Sequence, residues 1–553
     1  MGEGSTNMNL REKPFYLTEE ENRWVEETLR GMGVREKAGQ LFCVMGNPFS
    51  AGELDRLVTE YHVGAVLFRP LPAAQLLENF RRLDKLAKIP LLKAANLEEG
   101  GNGAISDGTY YATPLTTAAA GDPKYARELA EVCANEGRSV GINWTFSPVT
   151  DITYNYQNPI THIRSFGDDP DRVLEYSLAY IKALQAGGIA ACSKHFPGDG
   201  VDFRDHHLHP TYNSLSAEEW YGTFGRNYQA MIDAGLMSFM VGHIVQSAVQ
   251  MEINSELSFE DCLPASLSPE LLQGVLRGKF GFNGVITSDA TIMRGFNNVM
   301  ERSKAIPAAI AAGCDMLVFN VDFYEDYEYM LEGVKSGILS RERLDEAVTR
   351  ILALKAVTRR YSALTERDPE NAAKSRACVD RAVTLVKNRQ DIFPLTPEKF
   401  TEVLLAVHGE ERTGDGKNLV ELMEERLTAE GFRVKRFEKN VSAPQKTAGL
   451  TPKQLVIHLA NFGAVSNHTA NRIYWMVPHA QDAPRFLNEQ TEIFLSFAYP
   501  FHLQDAPRVK TYINCYTCSA AAVDAVVDKL LGRSEFTGVS PVDPFCGLPD
   551  TRI

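Results

Sequence analysis

Between residues 41 and 319 the chain repeats one pattern: a short run of apolar or small residues, then a longer stretch with apolar positions at helical spacing. The short runs fall at 41–45, 65–68, 90–95, 141–146, 189–192, 238–241, 284–287 and 316–319. Runs of this length without polar alternation fit strands buried on both faces, as in a parallel sheet. Ahead of them, residues 18–32 predict an amphipathic helix, and Val34-Arg35-Glu36-Lys37 opens a second. Eight strands alternating with helices, ending near residue 358, predict a (β/α)8 TIM barrel. A doubly wound sheet is the alternative topology.

From residue 358 to 381 the chain is charged and helical in pattern and reads as a connector. The alternation then resumes. Val403-Leu404-Leu405-Ala406-Val407, Leu455-Val456-Ile457-His458-Leu459 and Glu492-Ile493-Phe494-Leu495-Ser496-Phe497 are buried-strand candidates separated by helical segments. The expected organisation is a barrel domain over 1–357, a connector over 358–381 and a second, sandwich-like α/β domain over 382–553. A chain of 553 residues has the length for two such cores. No internal repeat and no Gly-rich phosphate loop is visible in either part.

Composition narrows the range of partners. Hydrophobic residues at 44% and charged residues at 23% are ordinary for a soluble globular protein. A formal net charge of −14 argues against nucleic acid or an anionic membrane as partner. No apolar run is long enough to span a bilayer. The opening residues 1–7 are polar and lack the apolar core of a signal peptide. Nine cysteines are scattered without a framework, and Cys515-x-x-Cys518 has no second pair to complete a zinc site. Free thiols and a cytoplasmic location are the resulting expectations.

The densest polar cluster begins at Lys194-His195-Phe196-Pro197-Gly198-Asp199-Gly200 and continues through Asp205-His206-His207-Leu208-His209-Pro210. It holds one Lys, four His and three Asp within seventeen residues. It follows the apolar run Gly188-Ile189-Ala190-Ala191-Cys192, so it begins where a buried strand ends. Three other strand ends carry polar clusters. They are Asn96-Leu97-Glu98-Glu99-Gly100-Gly101, then Ser147-Pro148-Val149-Thr150-Asp151 with Arg164-Ser165-Phe166-Gly167, and Ser288-Asp289-Ala290-Thr291-Ile292-Met293. In a barrel such ends converge on one pocket. Taken singly, Asp151 and Asp289 read equally well as helix N-caps.

Together these elements resemble glycoside hydrolase family 3, the retaining exo-β-glycosidases, and within it the β-N-acetylglucosaminidase branch. The resemblance rests on Lys-His-Phe-Pro-Gly followed by Asp-x-His, on Arg164-Ser165-Phe166-Gly167, and on Ser288-Asp289 with Met293 behind it. It runs through residues 35–355 and is fainter at Phe497-Ala498-Tyr499-Pro500. It implies Asp289 as the nucleophile and His207, tuned by Asp205, as acid/base, with His206 a rival for that role. It implies Arg164, Lys194 and His195 as ligands of sugar hydroxyls, with Asp151, Glu98 and Met293 also lining the substrate site. The chain departs from the cell-wall-recycling relatives in two places: Asp199 stands where they have a third His, and Asn96-Leu97-Glu98-Glu99 replaces their Asp-Gln-Glu sugar clamp.

The function so implied is hydrolysis of a terminal β-linked sugar, β-N-acetylglucosamine first, through a covalent glycosyl-enzyme. A β-glucosidase or a glycoside phosphorylase of the same family is the alternative. The expected partner is a small carbohydrate or glycoconjugate, the chain is a monomer or homodimer, and neither metal nor cofactor is expected. Two other chemistries were open to these residues: a metal on Asp205, His206, His207 and His209, or a Schiff base on Lys194. For the acceptor, a histidine acid/base leaves no negative charge beside the intermediate, which admits phosphate. Asp199 and Asp205 on the same loop would oppose it, so water is expected to dominate.

Overall fold

The computed structural model describes residues 8–437, 453–464, 466–467, 469–473 and 491–553. They form two compact units. One comprises Met1–Gly108, Ala130–Ile152 and Ser177–Asp368; the other comprises Thr109–Leu129, Thr153–Tyr176 and Pro369–Ile553.

The first unit is built on eight parallel strands: β1 Phe42–Met45, β2 Ala65–Leu67, β3 Leu92–Ala95, β4 Trp144–Thr145, β5 Cys192–Phe196, β6 Ser238–Val241, β7 Val285–Ala290 and β8 Met316–Val318. Six lie within the apolar runs expected from the sequence, but β5 shares only Cys192 with the run 189–192 and continues through Lys194-His195, and β7 runs past 287 through Ser288-Asp289. Their order is β4-β3-β2-β1-β8-β7-β6-β5. Backbone bonds join the two ends: Thr145 N–H donates to Ala190 O at 3.0 Å, Cys192 N–H to Ser147 O at 2.9 Å and Lys194 N–H to Pro148 O at 3.2 Å. The result is the expected TIM barrel. The strands are buried throughout because the barrel interior and the surrounding helices cover both faces. The expected opening helices span Glu19–Gly31 and Val34–Gln40, the first started by a capping box between Thr18 and Glu21.

The second unit contains a six-stranded sheet of β9 Thr384–Asn388, β10 Glu402–Gly409, β11 Arg433–Arg436, β12 Gln454–Asn461, β13 Thr491–Ser496 and β14 Thr511–Asn514. Their order is β9-β14-β13-β12-β10-β11, with β9 antiparallel to β14 and every other pair parallel. The three strand candidates from the sequence are β10, β12 and β13. Helices Asn371–Ala382, Ala520–Leu530 and Leu419–Ala429 pack in a row within this unit. The helical segment expected between β12 and β13 lies mostly outside the described residues.

The units divide differently from the expected 1–357, 358–381 and 382–553. A helix runs on through Arg341–Arg359, the chain is irregular over 360–370, and Asn371–Ala382 is part of the second unit rather than a connector. Two excursions from the barrel also fold with the C-terminal residues. Thr113 Oγ1 donates to Tyr516 O at 3.0 Å, and Asp543 N–H donates to Asp168 Oδ2 at 2.9 Å. Chain order alone gives no sign of such returns.

A buried charge cluster ties the lower ends of the strands together. Asp315, just before β8, is enclosed and receives Arg277 at 2.6 Å, Arg343 at 2.7 Å and Arg350 at 3.4 Å, as well as the Ile286 N–H of β7 at 2.9 Å. Burial works against its charge, but the three guanidiniums outweigh this and hold its carboxyl below the usual value. Because the folded value is the lower one, the linked stability is complete above the ordinary carboxylate pKa of ~3.9 and is lost as pH falls through the folded value. Asp315→Asn leaves three cations facing one another and is expected to cost about 3–5 kcal/mol. Denaturant unfolding at neutral pH checks this; a loss below about 1 kcal/mol would contradict it.

Candidate active site

Regular strand pairing is interrupted at two places on the barrel, and both fall on residues nominated from the sequence. Met316 on β8 pairs with Thr287 but Val318 pairs with Ala290, so β7 carries one extra residue across Ser288-Asp289. Ser193 on β5 pairs with Phe239 but Phe196 pairs with Val241, which puts an extra residue across Lys194-His195. Such a bulge re-aims side chains that strict alternation would send elsewhere.

Asp289 sits in the second half of β7 and is 8% exposed. Its Oδ1 accepts the Ala290 N–H at 2.6 Å, while Oδ2 has no hydrogen-bond partner among the described residues. His206 Nε2 stands 3.8 Å from that oxygen and His195 Nε2 stands 3.9 Å from it. Burial pushes the Asp289 carboxyl up, yet His206, His195, His243 and His207 together outweigh this and hold it below the usual carboxylate range. The group is therefore an ionised, under-bonded carboxylate at a barrel strand end. A group of this kind has the chemistry of a nucleophile toward an electrophilic carbon.

The imidazoles around it are fixed in different ways. His195 Nδ1 meets Asp151 Oδ2 at 2.7 Å, and Asp151 Oδ1 accepts the N–H groups of His195 at 3.0 Å and Asp199 at 2.8 Å. His243, which follows β6, places Nδ1 2.9 Å from Ser266 Oγ and Nε2 3.2 Å from Ala290 O. Burial lowers its pKa to about 4, so it is neutral at pH 7. His206 is wholly buried, and neither ring nitrogen has a hydrogen-bond partner among the described residues. Burial first, then the neighbouring His207, His195 and His243, hold it well below an ordinary imidazole against the pull of Asp289.

His207 differs from all of these. Its side chain is 21% exposed, and Nδ1 lies 2.7 Å from Oδ1 of the buried Asp205, which also accepts the His207 N–H at 2.8 Å. The Nε2 edge is thus left for a substrate, with a carboxylate behind it to fix the orientation of the ring. Its ring centroid is 5.0 Å from that of His206.

The start of the loop carrying these residues is anchored twice. Trp220 Nε1 donates to Pro197 O at 2.7 Å and Asn213 Nδ2 to Gly198 O at 3.0 Å. Gly198 has φ +113°, and a side chain there would meet the Phe224 ring at 2.3 Å. Beyond the histidines, Arg294 N–H donates to His207 O at 3.0 Å, and a Cβ on Gly295 would lie 2.1 Å from His206 O. Only glycine lets the segment after β7 approach the loop this closely.

Within the barrel unit, the structure brings together Asp289, His195, His206, His207, Asp205 and Asp151. Lys194, one residue before His195, reaches Glu98 after β3 at 2.5 Å. Several expectations change. Asp151 is wholly buried and commits both oxygens to His195 and Asp199, so it positions the loop instead of binding substrate. Neither Asp151 nor Asp289 caps a helix. Met293 is mostly buried and precedes the short helix Arg294–Asn297. Arg164 lies in Thr153–Tyr176, which groups with the second unit, so it is not among the side chains the barrel unit itself assembles. Of the four-residue metal set, Asp205, His206 and His207 bring ligand atoms within 4.8 Å of one another, while His209 is exposed and stands outside the group. His243 was missed, although a lone Gly-His after the apolar run 238–241 marks the one barrel strand end near Asp289 left unread.

A TIM barrel with an ionised aspartate at a strand end and a carboxylate-backed histidine on a neighbouring loop is compatible with glycoside cleavage. The sequence matches the family described as "Glycosyl hydrolase family 3 N terminal domain" over residues 33–354, and the chain belongs to that family. It is 40% identical to a beta-N-acetylglucosaminidase/beta-glucosidase of Cellulomonas fimi, covering 99% of this chain and 100% of the relative. A beta-hexosaminidase of Stenotrophomonas maltophilia is 30% identical, covering 53% of this chain and 87% of the relative. Among solved structures, beta-glucoside phosphorylase BglX bound to 2FGlc is 41% identical, with a TM-score of 0.92, and covers 98% of this chain and 99% of its own.

If His207 gives the leaving oxygen its proton, His207→Ala should slow alkyl or sugar aglycones by about 10²–10⁴-fold. Nitrophenyl glycosides, which depart with little protonation, should lose far less. Steady-state kinetics over a leaving-group series checks this, and an equal loss for every aglycone would contradict it.

Proposed function

We propose that the protein cleaves a terminal β-linked glucosyl or N-acetylglucosaminyl residue with retention, through a glycosyl-enzyme on Asp289, and passes the sugar to phosphate in preference to water. The observation that carries this reading is the character of the exposed proton-transfer group near Asp289: an imidazole, His207, backed by the buried carboxylate of Asp205 at 2.7 Å.

In the first step Asp289 Oδ2 bonds to the anomeric carbon as the bond to the aglycone oxygen breaks. The His207 Nε2 proton passes to that oxygen, and the ring is left neutral. In the second step an acceptor oxygen displaces the carboxylate. Water must surrender a proton to His207 Nε2, whereas phosphate dianion needs no base, and the imidazole then regains its proton from solvent. A carboxylate in the place of His207 would be anionic at this moment and would repel phosphate.

The acidic residues expected to oppose phosphate, Asp205 and Asp199, are 1% and 2% exposed. The exposed group beside the approaching acceptor is then an imidazole and not a carboxylate, which weakens the electrostatic argument for water. The likeness to a beta-glucoside phosphorylase over 98% of the chain supports the same choice. Tolerance of both 2-substituents is supported by the double name of the Cellulomonas fimi relative. In this reading Lys194, paired with Glu98 at 2.5 Å and one residue from His195, donates to a sugar hydroxyl.

The test is to follow a glucoside and an N-acetylglucosaminide in rising phosphate, measuring free sugar and sugar 1-phosphate by ³¹P NMR and chromatography. Sugar 1-phosphate should account for most turnover at millimolar phosphate. Free sugar as the main product across that range would make water the acceptor and overturn the phosphorylase part of the reading.

A further inference from the structure

Two imidazoles and a carboxylate converge on one point in the barrel. His195 Nε2, His206 Nε2 and Asp289 Oδ2 all lie within 4.8 Å of one another, with 3.9 Å and 3.8 Å from Asp289 to the two nitrogens. They come from two strand ends and a loop: His195 from β5, Asp289 from β7, and His206 from the segment between Gly200 and Pro210. All three residues are buried.

One of the three donors is held in orientation by a carboxylate, and the other two are buried without partners. His195 Nδ1 is held by Asp151 Oδ2 at 2.7 Å, the carboxylate–histidine arrangement that fixes a ring so that its Nε2 lone pair faces inward. His206 is the independent observation. Neither of its nitrogens has a hydrogen-bond partner among the described residues, although the ring is fully enclosed, and Asp289 Oδ2 is similarly unsatisfied. Polar atoms buried without partners are costly, and a cation here would satisfy two of them, His206 Nε2 and Asp289 Oδ2, with His195 Nε2 as a third ligand. Asp199 Oδ2, 3.9 Å from His206 Nε2, adds a second negative charge facing the same ring.

Geometry and chemistry select the ion. Ligands about 2.0–2.1 Å from a tetrahedral zinc are about 3.4 Å apart, so the donors need to close by roughly half an ångström toward Asp289. Two nitrogens with one oxygen favour Zn²⁺, Co²⁺, Ni²⁺ or Cu²⁺ over Mg²⁺ or Ca²⁺, which take oxygen ligands. His243 is not a fourth ligand, since both its nitrogens are engaged by Ser266 and Ala290.

We infer that His195, His206 and Asp289 form a binding site for a borderline divalent transition metal, and that an ion there shuts the enzyme off. The inhibition, though not the binding, rests on the reading of Asp289 as nucleophile. With Oδ2 coordinated, the carboxylate's attacking lone pair is no longer available to the anomeric carbon.

The experiment uses the untagged full-length chain, stripped with chelator and titrated with Co²⁺ by visible absorption and with Zn²⁺ by calorimetry. One ion should bind per chain, with the intensified Co²⁺ bands of a low-coordinate nitrogen and oxygen site. His206→Gln and the near-isosteric Asp289→Asn should each abolish the bands. Asp151→Asn, acting through His195, should weaken affinity by about 10–100-fold. His209→Gln, an exposed histidine outside the cluster, should change nothing. Circular dichroism of each variant shows that it is folded. Zn²⁺ should inhibit an aryl glycoside competitively and reversibly by chelator. Absence of one-to-one binding at micromolar metal, or binding that survives both His206→Gln and Asp289→Asn, would overturn the site. Binding with the expected variant pattern but no inhibition would uphold the site and remove Asp289 from the chemistry.

Discussion

The structure is organised around keeping one carboxylate charged where burial opposes charge. Asp289 is nearly enclosed, and an isolated acid in that setting would take up a proton. The polar imidazoles around it, those of His206 and His195 nearest, tip the balance back toward the ionised form. They do so without quenching the group, because the two nearest nitrogens stay 3.8–3.9 Å from Oδ2, beyond hydrogen-bond reach. An aspartate locked into short ion pairs would be equally ionised but a poorer nucleophile. Histidines at this distance supply field while leaving the oxygen's lone pairs available.

That arrangement depends on backbone irregularity at the carboxyl ends of the strands. The extra residue on β7 falls at Ser288-Asp289, and the extra residue on β5 falls at Lys194-His195. Both strands are otherwise in register with their neighbours, and β7 is tied at its other end by the Asp315 and arginine cluster through Ile286. Rigid, well-paired lower halves thus carry re-aimed upper ends. The loop with His206 and His207 is pressed onto this platform by Gly198 and Gly295, where side chains would collide with Phe224 and with the His206 carbonyl. A barrel that fixes its strands and varies their ends is well suited to this division of labour.

Much of this was legible in the sequence. Six of the barrel strands lie within apolar runs, as strands buried on both faces should, while β5 and β7 extend past theirs into the polar residues of the site. Asp289, His207 and Asp205 stood out because polar clusters follow such runs. What sequence could not show were relations among distant segments. Asp151 looks like a substrate ligand or a helix cap until its two oxygens are seen on His195 and Asp199. His243 is a single histidine after an apolar run, a pattern that more often marks a core residue. The returns of 109–129 and 153–176 to the C-terminal unit, which carry Arg164 with them, have no local signal at all.

The central claim is that Asp289 bonds to the sugar, and it is tested most directly by trapping that bond. A 2-deoxy-2-fluoro β-glycoside with an activated leaving group slows the second step and allows the glycosyl-enzyme to accumulate. Mass spectrometry of the digested protein should then find one added sugar on the peptide spanning β7, and fragmentation should place it on Asp289. Sugar on Glu98, Asp151, Asp199 or Asp205, or inactivation with no covalent sugar, would contradict the account.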